Sequence, residues 1–235
     1  MSDKPLLDIQ KLDTAAEQLR HRYEHLPERD ARIEAIAKVE ALTNEISVIG
    51  VSRLEVAARQ KRFEDEAQIF EAKAEEDDKR LYSGEVGVKE LQPLQDEIAG
   101  LRERQGELET HALEAMEEAE ALAARLEETQ EAKSATEELE TVLVAEIATI
   151  ESEIDTELAG VLSDREAAVA AVNADDLTHY EKLRPGMGSA TVVVFDGANC
   201  AGCPSAMPAM ELDRMKHSPS GSVLSCNECG RIVLN

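Results

Sequence analysis

Apolar residues in this chain recur at alternating steps of three and four, from Ile9 almost to the end of the helix-forming region. Ile9, Leu12, Ala16, Leu19, Tyr23 and Leu26 form a first run, which Pro27 interrupts. Val39, Leu42, Ile46, Ile49, Arg53, Val56, Gln60, Phe63, Ala67, Phe70 and Ala74 form a second. A third passes from Leu91 through Leu101, Leu108 and Ala115 to Leu126, and a fourth from Leu143 through Ile154 to Val161. A beat held over this many heptads predicts coiled coil. Two architectures satisfy it, a long parallel dimer and a chain folded back on itself.

The stretch SGEVGV, residues 83–88, decides for the second. Gly84 and Gly87 punctuate a glycine-poor region, and glycine suits a turn better than a helix interior. With the tip there, Phe70 faces Leu101, Phe63 faces Leu108 and Ile49 faces Leu122. Beyond Pro27, Tyr23 faces Ile147, Ala16 faces Ile154, Leu12 faces Leu158 and Ile9 faces Val161. Large residues meet leucines, and Ala57 and Ala58 fall near Ala112 and Ala115, where the backbones can approach closely. LPERD, around Pro27, lies opposite the polar seam positions Thr129, Lys133 and Thr136, so a kink or hinge is expected there. The expected fold is mainly α: an antiparallel coiled-coil hairpin over residues 1–184, its tip near 83–88 and its break near 27. A small β-rich domain follows over 185–235. Pro185, Gly186 and Gly188 are expected to end the helix, and SATVVVF, residues 189–195, reads as a strand.

Charge narrows the choice of partners. The chain carries a net −25. Residues 185–235 contain Asp196, Glu211, Asp213 and Glu228 against Arg214, Lys216 and Arg231, a net of −1, so −24 falls on the helical part. Such a surface repels phosphate backbones and anionic membranes. The start, MSDKPLLDIQKLD, lacks the pattern of a secretion signal, and no apolar stretch reaches the length of a membrane helix. A cytoplasmic location is the expectation.

The four cysteines stand in two CxxC pairs, Cys200 with Cys203 and Cys226 with Cys229. In a reducing compartment such pairs read as metal ligands before disulfides. Two CxxC knuckles joined by an excursion describe a zinc ribbon, with one structural Zn²⁺ held by four thiolates. A redox CxxC and an iron–sulfur centre are the weaker alternatives. A closed four-sulfur site leaves no open coordination position for hydrolysis. His217, between the pairs, reads as an exposed loop residue rather than a fifth ligand. His21, His25, His111 and His179 have no partner cluster. No Ser-His-Asp order, Walker loop or GxGxxG occurs, and the chain is expected not to be an enzyme.

The segment KRLYSGEVGVKELQPLQDEIAGLRERQGELE (79–109), with YEKLR (180–184), CAGC (200–203) and CNECGRIVLN (226–235), resembles one family across its length. That family is the bacterial C4-type zinc-ribbon proteins with an N-terminal coiled-coil hairpin, once described as a domain of unknown function. The resemblance implies a kinked helical hairpin capped by a four-cysteine zinc ribbon, with Cys200, Cys203, Cys226 and Cys229 as ligands. It also implies protein partners, an alternative sigma factor and secretion or flagellar components among them, and RNA. The expected function is a non-enzymatic adaptor or chaperone acting in transcription or secretion-related regulation. MPAM (207–210) and Met215 are candidates for its exposed apolar contacts, with core packing as the alternative for each. The competing reading is a nucleic-acid-binding regulator using Lys182, Arg184, Arg214, Lys216 and Arg231. Residues 185–235 offer it only three bases and one aromatic, Phe195, little for phosphate contact or stacking.

Overall fold

The computed structural model describes residues 4–84, 86–203, 207–219 and 222–235. Among the described residues there are five α-helices: α1 Pro5–Glu24, α2 Pro27–Tyr82, α3 Leu91–Val169, α4 Ala174–Met187 and α5 Ala209–His217. Three short strands accompany them: β1 Val192–Val194, β2 Val223–Ser225 and β3 Ile232–Leu234. Long helices paired as a coiled-coil hairpin, with a small C-terminal sheet, are the expected class. The chain forms two compact units. One is Ala31–Leu143. The other joins the chain up to Asp30 with Val144–Asn235, so the C-terminal sheet shares its unit with helix ends rather than standing apart from residue 185.

In the unit Ala31–Leu143, α2 and α3 pack as antiparallel neighbours. Ala35, Ile49, Val56, Ala67 and Ala74 form the buried stripe of α2, against Leu94, Ile98, Leu101, Leu108 and Ala115 of α3. Four of the ion pairs crossing between the helices report the direction, from the turn outwards: Lys73–Glu97, Arg59–Glu118, Arg125–Glu45 and Arg32–Glu140. As one residue number falls its partner rises, which only an antiparallel pair allows. Exposed pairs of this kind add little stability each, so the apolar stripe sets the register. Arg53, at a seam position by count, is exposed, and so are Ala57 and Ala58. Those alanines thus lie off the buried stripe, and on the facing helix Ala115 alone of the two expected partners is fully buried.

The connection from α2 to α3 falls where the glycines predict it, though Glu85, inside the expected tip, lies outside the described residues. Gly84 has φ +76°, and the Glu90 amide donates to the Gly87 carbonyl at 2.8 Å. A Cβ at Gly84 meets nothing within 4 Å, so backbone strain alone opposes a side chain. Gly84→Ala is expected to destabilise the protein by about 1–2 kcal/mol. Gly100→Ala, inside α3 and equally open, is expected to stabilise by roughly 0.5–1 kcal/mol. Urea midpoints of opposite sign check both.

The break near residue 27 separates α1 from α2, with Pro27 as the first residue of α2, where a missing N–H costs nothing. Opposite that break, α3 runs unbroken through 127–138. Thr129 and Thr136 are buried, and their hydroxyls donate back to the Arg125 and Ala132 carbonyls at 2.7 Å. The helix thus satisfies its own polar seam positions instead of opening there. A second break, between α3 and α4, was not anticipated. Asn173 caps α4 by accepting from the Asp175 amide at 2.9 Å, and Asp175 and Asp176 follow in the first turn. Pro185 does not end this helix. It lies inside the last turn of α4, and the chain turns at Gly188, φ +57°.

In the second unit β3 is the central strand, parallel to β1 and antiparallel to β2. Its residues Ile232, Val233 and Leu234 are all buried, as a strand covered on both faces requires. Alternation sends Ile232 and Leu234, with Val192, to a core containing Leu6 and Ile9 of α1 and Tyr180 of α4. Val233 points the other way, to a core of Cys200, Cys226 and Met215. Ile9, expected to face Val161, is thus spent on the sheet. The Gln10 side chain extends the sheet edge: its amide donates to the Val192 carbonyl at 2.9 Å and accepts from the Val192 amide at 2.5 Å. The excursion between the cysteine pairs holds a helix, α5, alongside the expected strands. No helix among the described residues is long and apolar enough to cross a membrane.

Candidate metal centre

Two turns build the centre. In the first, the Cys203 amide reaches the Cys200 carbonyl at 3.4 Å and the Gly202 amide donates to Cys200 Sγ at 3.4 Å. In the second, the Gly230 amide donates to the Cys226 carbonyl at 2.9 Å. Gly230 has φ +72°, a conformation that favours glycine and lets the chain turn away beneath the sulfurs. The Cys226 amide donates to the Arg231 carbonyl at 2.9 Å, tying this turn to the start of β3.

The four sulfurs all lie within 4.8 Å of one another. Cys200 Sγ is 3.8 Å from Cys229 Sγ, and Cys203 Sγ is 3.9 Å from Cys226 Sγ. These separations are far beyond the roughly 2.05 Å of a disulfide, and no disulfide joins the four cysteines. They match the edge of about 3.8 Å expected for a sulfur tetrahedron around an ion at about 2.3 Å, the zinc–thiolate distance. Cys200 and Cys226 are buried, Cys203 and Cys229 half-buried. The donor set therefore fits a metal ion in number, spacing and burial.

Electrostatics point the same way. Burial pushes the Cys200 thiol up to about 12. Burial acts to raise Cys229 as well, but hydrogen bonds from the Arg231 amide and side chain outweigh it and bring that thiol down to about 7. Neighbouring thiolates at this spacing resist shared ionisation, and a cation among them removes the conflict.

His217 is exposed and accompanies no cysteine. It lies at the end of α5, not in a loop, with its ring against the Asp213 carbonyl at 2.9 Å. His21 and His25 stack on each other with ring centroids 4.2 Å apart, and His179 meets Ser225 at 3.2 Å. Among the described residues the cysteine cluster alone gathers three or more candidate ligand groups.

The methionines divide. Met215 is fully buried and Met207 packs against the same core, whereas Met210 is 88% exposed. Phe195 also packs there. Two of the five cations assigned to nucleic-acid contact are engaged internally. The Arg184 guanidinium pairs with Glu17 at 2.7 Å and donates to the Tyr180 hydroxyl at 3.0 Å. Arg231 donates to the Ala190 carbonyl at 2.9 Å and the Gly202 carbonyl at 2.6 Å. Sequence reasoning missed both roles. The local signal for Arg231 was its place directly after the CxxCG turn.

The family model for the CT398-like coiled coil hairpin domain matches residues 9–188. Two curated relatives from Mycobacterium tuberculosis strains, the uncharacterized proteins MT2288 and Rv2229c, are each 28% identical over 238 residues. Each alignment covers 98% of this chain and 94% of the relative. A solved structure from Mycobacterium smegmatis is 24% identical with a TM-score of 0.70, covering 98% of this chain and 96% of that one. CT398 from Chlamydia trachomatis is 18% identical with a TM-score of 0.62, and HP0958 from Helicobacter pylori 20% with 0.51. Both alignments cover 98% of this chain and 95% of the other. The solved structures share the fold.

Proposed function

The chain belongs to the CT398-like coiled coil hairpin family, and from that premise we propose that it is a non-enzymatic adaptor that binds protein partners in the cytoplasm. One Zn²⁺ on Cys200, Cys203, Cys226 and Cys229 holds the C-terminal module together. Thiolates are soft donors, and four of them around Zn²⁺ leave it no open position, so the ion is structural rather than catalytic. Partners in transcription or secretion-related regulation are those the family resemblance implies. The observation that carries this reading is the four-sulfur cage on one face of a sheet whose other face packs on α1 and α4. Such a module presents a fixed outer surface at the helix ends.

The nucleic-acid reading is weakened by the internal engagement of Arg184 and Arg231, which leaves Lys182, Arg214 and Lys216 exposed. The test is affinity capture with the intact chain and with Cys226→Ser, alongside RNA and DNA binding across a salt series. The adaptor reading expects a specific protein recovered by the intact chain and lost with the variant. Nucleic acid held at moderate salt, with affinity falling steeply as salt rises, and no specific protein, overturns it.

A further inference from the structure

Arg231 does more than follow a cysteine turn. Its side chain leaves the start of β3 and crosses to the first knuckle, where Nη1 donates to the Gly202 carbonyl at 2.6 Å. Its Nε donates to the Ala190 carbonyl at 2.9 Å, at the end of the turn Gly188–Ala190. Its own carbonyl receives the Cys226 amide at 2.9 Å. One residue thus touches the CAGC knuckle, the CNEC knuckle and the chain entering β1. The stem of the side chain covers Gly202 so closely that a Cβ there would lie 2.5 Å from Arg231 Cδ. A side chain at Gly202 would displace the Arg231 stem, which gives a reason for glycine at the third position of CAGC.

We propose that Arg231 is the positioning residue that clamps the two cysteine knuckles together and sets how long the site retains its metal. The clamp rests on the reading that the four cysteines hold a metal ion. Three features of arginine suit it. Its guanidinium is charged at every working pH, and its planar fork reaches two carbonyls at once. Its positive charge also lies beside a cage that carries a net negative charge once four thiolates hold a divalent ion. A lysine keeps the charge but has no fork to reach both carbonyls in the same geometry. Partners of metal ligands commonly change metal affinity about 10- to 100-fold when removed.

The experiment uses the full chain loaded with Zn²⁺, and separately with Co²⁺ as a spectroscopic reporter. Wild type, Arg231→Gln, Arg231→Lys and Lys216→Gln are compared. Lys216→Gln removes one positive charge from the exposed face of α5 and serves as the charge control. Metal stoichiometry is measured first, then the rate of Zn²⁺ transfer to a colorimetric chelator, then the Co²⁺–thiolate charge-transfer bands. Arg231→Gln is expected to release Zn²⁺ about 10- to 100-fold faster and to shift those bands. Arg231→Lys is expected to fall between it and wild type, and Lys216→Gln to match wild type. Release from Arg231→Gln at the wild-type rate, with unshifted bands, overturns the clamp. If Arg231→Gln fails to fold, a wild-type rate and spectrum in Arg231→Lys overturns it instead. Wild type that takes up no stoichiometric metal overturns the underlying metal reading, an outcome the stoichiometry separates from failure of the clamp.

Discussion

Stripping the metal, by a strong chelator or through Cys226→Ser, is expected to collapse the sulfur-side core and strip β3 of hydrogen-exchange protection, while Ala31–Leu143 keeps its own. The argument runs through one strand. Val233 packs with Cys200, Cys226 and Met215, whereas Ile232 and Leu234 pack with Leu6, Ile9 and Tyr180. A three-residue strand with two three-residue neighbours lies at the short end of strand lengths, so losing the packing of one face removes a large share of what holds it. In small zinc modules the ion contributes on the order of 10–16 kcal/mol of apparent folding free energy. Here the α1-side core shares the task, so a loss of at least about 3 kcal/mol is expected at the β3 amides, roughly 100-fold in exchange rate. Peptide-resolved exchange mass spectrometry reads it. Amides of Gln10 and its neighbours in α1 should loosen in parallel, since Gln10 is paired to β1. Full protection of β3 in the metal-free protein would show that apolar packing alone sustains the module.

The long-range layout of this protein is legible in its sequence because it depends on periodicity and punctuation. Heptad steps mark which residues of α2 and α3 meet, Gly84 and Gly87 mark the reversal, and Pro27 marks a break. Spacing also places the cysteines, since two CxxC turns leave four sulfurs few other arrangements. What escaped is three-dimensional pairing between distant segments. Ile9 fits a heptad position but is captured by a sheet that forms only when residues beyond 190 return to α1. Gln10 carries no pattern at all, yet its amide completes the edge of β1. Polarity picks out Thr129 and Thr136, but it does not show that both are buried with their hydroxyls bonded to their own helix backbone. Arg231 was counted as surface charge, because charge counts cannot see a carbonyl waiting across a turn. The end of α3 was missed although its signal, Asn173 followed by two aspartates, is a local capping pattern.

Tyr180 is expected to be the side chain whose loss most damages the α1-side core. It is 0% exposed, and its hydroxyl donates to Asp13 Oδ2 at 2.8 Å. Asp13 also receives Arg165 Nε at 2.6 Å, so one ring links α4 to α1 and, through a carboxylate, to the end of α3. Tyr180→Ala is expected to cost about 3–5 kcal/mol, the range for emptying an aromatic site in a core. Tyr180→Phe keeps the ring and loses the donor, leaving Asp13 to Arg165 and Arg184, at about 1 kcal/mol. Alkali tests the coupling of the phenol proton to folding. Burial raises the Tyr180 hydroxyl well above its ordinary value of 10.0, the bond to Asp13 adds to this, and Arg184 opposes it. A raised value means that the folded state favours the neutral phenol. Its contribution is therefore complete below pH 10 and is lost as the pH climbs towards the folded value. Denaturant midpoints measured from pH 8 to 11 should fall more steeply above pH 10 for wild type than for Tyr180→Phe. Parallel curves for the two would show that the phenol proton is not coupled to folding.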